Sequence, residues 1–140
     1  MEPVVDLARV DAQEARFAAA FAAGDVSAAR DLYHPEVVYL SPTTRLFGRP
    51  PRVEGVDATL AFIQQTIEGC RAIDYRLDER AVLPDGTSAY CRIVFDWDTG
   101  AVRLRSVYVV VYRYRDGRIA QQELYYDPSG ALEELGPART

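Results

Sequence analysis

The chain has no lysine among its 140 residues, and only one histidine, one methionine, one tryptophan and two cysteines. The missing lysine excludes a Schiff-base amine and the ammonium of a phosphate-binding P-loop. Cys70 and Cys91 make neither a disulfide framework nor a metal-ligand spacing, so a reducing, cytoplasmic setting is the default expectation. No apolar run reaches membrane length, and MEPVVDLARV has no basic segment leading into an apolar block, so no secretion signal is expected. Positive charge is scarce: 16 arginines face 21 acidic residues, for a net charge of −5. Nucleic acid wants a basic face and an anionic membrane wants the same, so neither is an expected partner.

What is present is a helical first half and a strand-rich second half. Leu7 to Ala23 reads as a helix, with Val10, Phe17 and Phe21 on one stripe and Gly24 closing it. Asp25 caps a short helix over Val26 to Leu32, which His34-Pro35 ends. His34 is expected to cap carbonyls there. Val37 to Leu40 is a short strand. Thr43 to Gly55 reads as a proline-punctuated loop; it carries Leu46 and Phe47, and its length suits a lid. Val56 to Gly69 is a third helix.

Strands follow over Tyr75 to Leu83 and Ser88 to Trp97. Two long strands, Arg103 to Arg113 and Ile119 to Asp127, flank Asp116-Gly117, a strong hairpin signal. A helical tail is expected over Ala131 to Leu135, and a turn at Asp127. One domain over 1–140 fits this length. The order gives an α+β fold with helices on one side of a curved antiparallel sheet.

Three strings carry a resemblance: FAAAFAAGDVSAARDLYHPEVVYLSP (17–42), VEGVDATLAFIQQ (53–65) and YRDGRIAQQELYYDP (114–128). They resemble the nuclear-transport-factor-2-like superfamily, in particular its SnoaL-like branch of polyketide cyclases. The resemblance implies a cone-shaped domain whose sheet wraps around the N-terminal helices. It does not fix an activity.

Matching ketosteroid isomerase places its tyrosine at Phe17, its base at Ser41 and its protonated aspartate at Val109. None of these side chains can serve that chemistry. The acid on the last strand of limonene-type epoxide hydrolases falls on Leu124, and Arg92, Val94 and Asp96 supply no clear partner set. Scytalone dehydratase-like chemistry wants paired histidines, and only His34 is available. Cys91 reads as a small buried hydrophobe, and Arg92 and Asp96, on one strand face, as structural partners of Glu123 or of neighbouring arginines in the sheet.

The resemblance also implies a cavity. Its wall would comprise Phe17 and Phe21, Tyr39 or Ser41, Ile63, then Cys91, Ile93, Phe95, Val107, Val109, Val111, Gln122, Leu124 and Tyr126. The same side chains would equally fill a solid core. With odd positions of the long strand inward, Tyr108, Val110 and Tyr112 would face outward with Tyr90 and Tyr125. That aromatic face suggests a homodimer. The expected ligand is a hydrophobic small molecule, and no cofactor is implied. A cofactor-free cyclase or isomerase-type enzyme of secondary metabolism leads. The alternatives are a non-catalytic ligand-binding protein and a dimeric interaction module.

Overall fold

The computed structural model describes residues 3–100 and 103–126. Helix α1 spans Leu7–Ala23, with Asp6 capping it by accepting from the Arg9 amide at 2.9 Å. Gly24 ends it in the left-handed region at φ 71°, where glycine has no side-chain penalty. A 3₁₀ turn, Val26–Leu32, follows behind its Asp25 cap. Strand β1 is Tyr33–Leu40, longer than the sequence suggests because it starts before His34-Pro35. His34 therefore caps no helix: its Nδ1 accepts from the Glu36 amide, and the ring meets Arg115.

The expected loop at Thr43 to Gly55 is more ordered than its prolines suggest. Ser41 caps a 3₁₀ turn, Pro42–Phe47, and strand β2, Arg52–Glu54, pairs antiparallel with β1. Helix α2 is Val56–Glu68. The remaining strands are β3 Ala72–Val82, β4 Ser88–Asp98, β5 Arg103–Arg115 and β6 Arg118–Tyr126. The expected tail helix and the Asp127 turn lie outside the described residues.

All six strands form one curved sheet in the order β2-β1-β6-β5-β4-β3. Every pairing is antiparallel except β1 with β6, which brings the first and last strands side by side in the same direction. Asp116 and Gly117 both take positive φ, 54° and 74°, as the two-residue hairpin between β5 and β6 requires. The helices cover one face, and the core forms between. Val10, Phe17 and Ala20 of α1 and Leu60, Phe62, Ile63 and Ile67 of α2 are buried there.

One irregularity decides which side chains enter that core. Near the turn, Arg115 pairs with Arg118 and Tyr114 with Ile119. Beyond it, Arg113 pairs with Gln121 and Tyr112 with Gln122, so Ala120 is an extra residue on β6. A bulge of this kind shifts the register by one, and a shift of one exchanges the faces. Counting back from the turn without it sets Val109 opposite Leu124; the actual partner of Leu124 is Val110.

The inward residues of β5 are therefore Ser106, Tyr108, Val110, Tyr112 and Tyr114, all buried. Val107, Val109 and Val111 lie half-buried on the outer face. This corrects the assignment of Val107, Val109 and Val111 to the cavity, and of Tyr108, Val110 and Tyr112 to the outer surface. Among the described residues, no helix is long and apolar enough to cross a membrane.

Candidate functional site

Between the two helices and the inner sheet face lies a cavity of about 30 Å³, room for a water molecule or two. Phe21 reaches it from α1, Tyr39 from β1, and Phe62, Ile63 and Thr66 from α2. The sheet supplies Phe95, Trp97, Tyr108, Leu124 and Tyr126, and Thr43 of the 3₁₀ turn completes the wall. The rings hold one another: Phe95 meets Trp97 edge-on at 4.9 Å, and Tyr108 and Tyr126 stand 5.1 Å apart. Such aromatic contacts add stability beyond the area they bury.

The polar side chains of the wall are three phenols, Tyr39, Tyr108 and Tyr126, with Thr43, Thr66 and the Trp97 indole. Burial pushes the hydroxyls of Tyr39, Tyr108 and Tyr126 above their ordinary values, so they remain protonated donors at neutral pH. Ser41 does not line the cavity, and its Oγ lies 2.7 Å from Oγ1 of Thr43, which does. Gln122 is occupied too, since Oε1 accepts from Tyr33 Oη at 2.6 Å. Ser106, buried on β5, accepts from Trp97 Nε1 at 2.9 Å and fixes the indole against the wall.

A carboxyl group lies deeper in the same core. Glu14 of α1 is 2% exposed. Tyr75 Oη donates to its Oε1 at 2.5 Å, while Tyr112 Oη and Gln13 Nε2 donate to Oε2 at 2.9 and 3.0 Å. Tyr114 Oη in turn donates to Gln13 Oε1 at 2.9 Å. Desolvation raises the carboxyl above the usual glutamate range, and the three donors oppose that shift without cancelling it. Tyr75 stacks on Phe21 with ring centroids 5.1 Å apart, which joins this cluster to the cavity wall.

Of the side chains expected at the cavity, Phe21, Tyr39, Ile63, Phe95, Leu124 and Tyr126 line it. Phe17 points inward but packs between Tyr33 and Tyr112. Cys91 and Ile93 are fully buried in the surrounding core, and burial pushes the Cys91 thiol up. Val107 and Val109 are on the far side of the sheet because of the Ala120 bulge. Arg92 meets Asp78, and Asp96 lies 3.8 Å from Arg105, so these charges serve the outer surface.

Glu14 and Tyr75 are absent from the sequence-based set. Glu14 falls on the apolar stripe of α1 between Val10 and Phe17, and that position is the signal that could have revealed it. A larger recess of about 190 Å³ lies on β3 and β4 beside Asp74, Asp96 and Asp98, and Trp97 lines it as well as the cavity. Among the described residues, no group of three or more histidine, cysteine or acidic side chains could hold a metal ion.

The solved structures that resemble this chain share its architecture. TsrD from Streptomyces laurentii superposes with a TM-score of 0.74 at 22% identity, covering 94% of this chain and 98% of that one. A putative polyketide cyclase from Xanthomonas campestris gives 0.70 at 17%, covering 92% and 98%. A steroid delta-isomerase from Pseudomonas aeruginosa gives 0.65 at 23%, covering 97% and 90%. These likenesses establish the cone-shaped α+β fold. No curated protein matches by sequence. The profile of the SnoaL-like domain matches residues 15–122, and the chain belongs to that family, within the nuclear-transport-factor-2-like superfamily.

Proposed function

We propose that the cone binds an apolar small molecule and that the protein is a cofactor-free enzyme of the cyclase or isomerase type, acting in secondary metabolism. The observation that carries this reading is the composition of the cavity wall: aromatic rings broken by the hydroxyls of Tyr39, Tyr108 and Tyr126. Apolar walls with a few convergent polar groups hold and orient hydrophobic ligands. Orientation contributes to rate without a strong base, by selecting a reactive conformer. The names of two neighbours, a polyketide cyclase and a steroid isomerase, favour the same class.

A cavity of about 30 Å³ is too small for such a ligand, so the cover must move. Thr43 lines the cavity and Phe47 packs edge-on against Phe62 at 5.7 Å, which makes Pro42–Phe47 the segment to open. Trp97, the only tryptophan in the chain, stands in the wall and reports occupancy. Titration with a flat aromatic ketone should quench its fluorescence saturably. A panel of such compounds that leaves the emission unchanged would refute the binding reading, and binding without turnover would favour a carrier.

A second part of the reading concerns association. Val94 pairs with Val107, Tyr90 with Val111, and Val109 with both Arg92 and Tyr125 across the outer face. Tyr125 is 58% exposed there. We infer a homodimer through this patch, in a reducing cytoplasm that suits the two free cysteines. Light scattering at micromolar concentration should give twice the chain mass, and a monomer there would remove the dimer.

A further inference from the structure

The wall of the cavity and the segment that covers it differ in charge. Among the described residues no arginine, aspartate or glutamate lines the cavity. Two of its polar side chains are already engaged: Trp97 Nε1 donates to Ser106, and Thr66 Oγ1 donates to the Phe62 carbonyl at 3.2 Å. An ionised group drawn among these rings would give up its hydration with no opposite charge to meet it. The part of a ligand that enters is therefore uncharged.

The cover is cationic on its outer side. In Pro42–Phe47 the side chains of Thr43 and Thr44 are buried, whereas Arg45 is exposed. Arg49 follows the turn closed by Gly48, and its amide donates to the Thr44 carbonyl at 3.1 Å. Its Nε donates to Gln65 Oε1 at 2.9 Å, and among the described residues its terminal nitrogens make no hydrogen bond. Gln65 adjoins Thr66 of the wall, and Phe47, between the two arginines, packs on Phe62 of the wall. Both arginines thus belong to the stretch that is seated on the cavity.

Neither is neutralised. Acidic residues outnumber arginines 21 to 16, and Arg52, just beyond, pairs with Glu54 at 2.7 Å. Arg45 and Arg49 have no carboxylate within ion-pair distance among the described residues, although Glu68 is exposed on α2 one turn past Gln65. An unpaired guanidinium presents a planar fork of donors that fits a carboxylate.

We propose that the ligand of this cavity is an apolar carboxylic acid, whose uncharged body enters among the phenols while its carboxylate stays outside on Arg45 and Arg49. This deepens the cavity reading above and rests on it. Held by its charged end, the ligand enters in one direction, and the end that meets the phenols is the one remote from the carboxylate.

The test uses para-nitrophenylbutyric acid, its primary amide and para-nitrophenylbutylamine. The nitrophenyl ring quenches Trp97, so one titration reports the entry of each probe. At neutral pH and low salt the parent should bind the acid about fivefold more tightly than the amide, and the amine most weakly. Added salt should narrow that ratio. Arg45→Gln and Arg49→Gln should each reduce it, and the double variant should abolish it. Arg118→Gln removes the same charge at the opposite end of β6 from Tyr126, and should keep the parent ratio. The amide is the internal control, because a cover merely loosened by losing the Gln65 contact changes both affinities and leaves their ratio alone. Equal affinities for acid and amide in the parent overturn the proposal. An acid preference that survives the double substitution also overturns it, and places the carboxylate at the phenols. A preference lost equally in Arg118→Gln overturns it as well, since net charge alone would then explain it. If the parent takes up none of the three probes, the cavity reading itself fails and the proposal falls with it.

Discussion

Tyr75 Oη donates to Glu14 Oε1 at 2.5 Å across 61 positions of sequence, tying the first helix to the edge strand β3. The contact gives stability a pH dependence whose sign is fixed. Burial raises Glu14 above its ordinary value of 4.5. The folded chain therefore keeps a proton that the unfolded chain has released. That contribution is fully present below about pH 4.5 and is lost as pH rises toward the folded value. Melts across about pH 4 to 8 should show the parent losing stability relative to Glu14→Gln as pH rises. Asp11, Asp25, Asp31 and Asp85 are held low and act in the opposite direction at lower pH, but they cancel in the difference. A difference that stays flat would mean Glu14 titrates alike in both states.

The Ala120 bulge is testable by a pair of charges. Leu124 is 7% exposed and faces the cavity, whereas Val109 faces outward. Leu124→Arg buries an unpaired charge and should cost about 3–5 kcal/mol, enough to unfold much of the protein at ambient temperature. Val109→Arg should leave the monomer within about 1 kcal/mol of the parent and abolish association. Thermal denaturation and light scattering on both variants check this. Equal destabilisation by the two would place both positions inside.

How much of this was legible in the sequence varies by element. Helix α1 and the 3₁₀ turn after it fall where the apolar stripe, Gly24 and Asp25 place them, because these are local signals. The β5–β6 hairpin is equally local, set by Asp116-Gly117. The face of β5 was not legible. It depends on one extra residue at Ala120, and an alanine in a strand announces nothing. With Val107 to Val111 on one face and Tyr108 to Tyr112 on the other, both faces look apolar, so alternation alone could not decide. Glu14 was hidden differently: a glutamate on a helix reads as solvent-facing until two phenols from other elements, Tyr75 and Tyr112, are seen donating to it.

Gly117 should tolerate substitution poorly. Its φ is 74°, and a Cβ would come within 3.3 Å of the Arg9 guanidinium. Gly117→Ala should cost about 1 kcal/mol through the left-handed backbone, read as a lowered denaturation midpoint with an unchanged slope. Asp116→Gly should be much milder, because glycine accepts that residue's positive φ of 54°. A Gly117→Ala midpoint equal to the parent's would show that the turn relaxes to another type.

The cover over the cavity yields the last prediction. Deleting 46–51 would do more than open a lid, because the Arg49 guanidinium donates to Gln65 Oε1 at 2.9 Å and β2 begins at Arg52. A single truncation is the cleaner test. Phe47 is half-buried and meets Phe62 edge-on, and Phe62 is 1% exposed in the cavity wall. Phe47→Ala removes that contact and leaves the Ser41 cap and the β1–β2 pairing in place. The loss of a half-buried ring should cost about 1–3 kcal/mol. If Pro42–Phe47 is the segment that opens, the same change should raise the rate at which a hydrophobic probe quenches Trp97, since less packing is broken on entry. Stopped-flow fluorescence measures that rate directly. A variant that melts lower but admits the probe no faster would mean that ligands enter elsewhere, and the 3₁₀ turn would then be part of the wall and not its door.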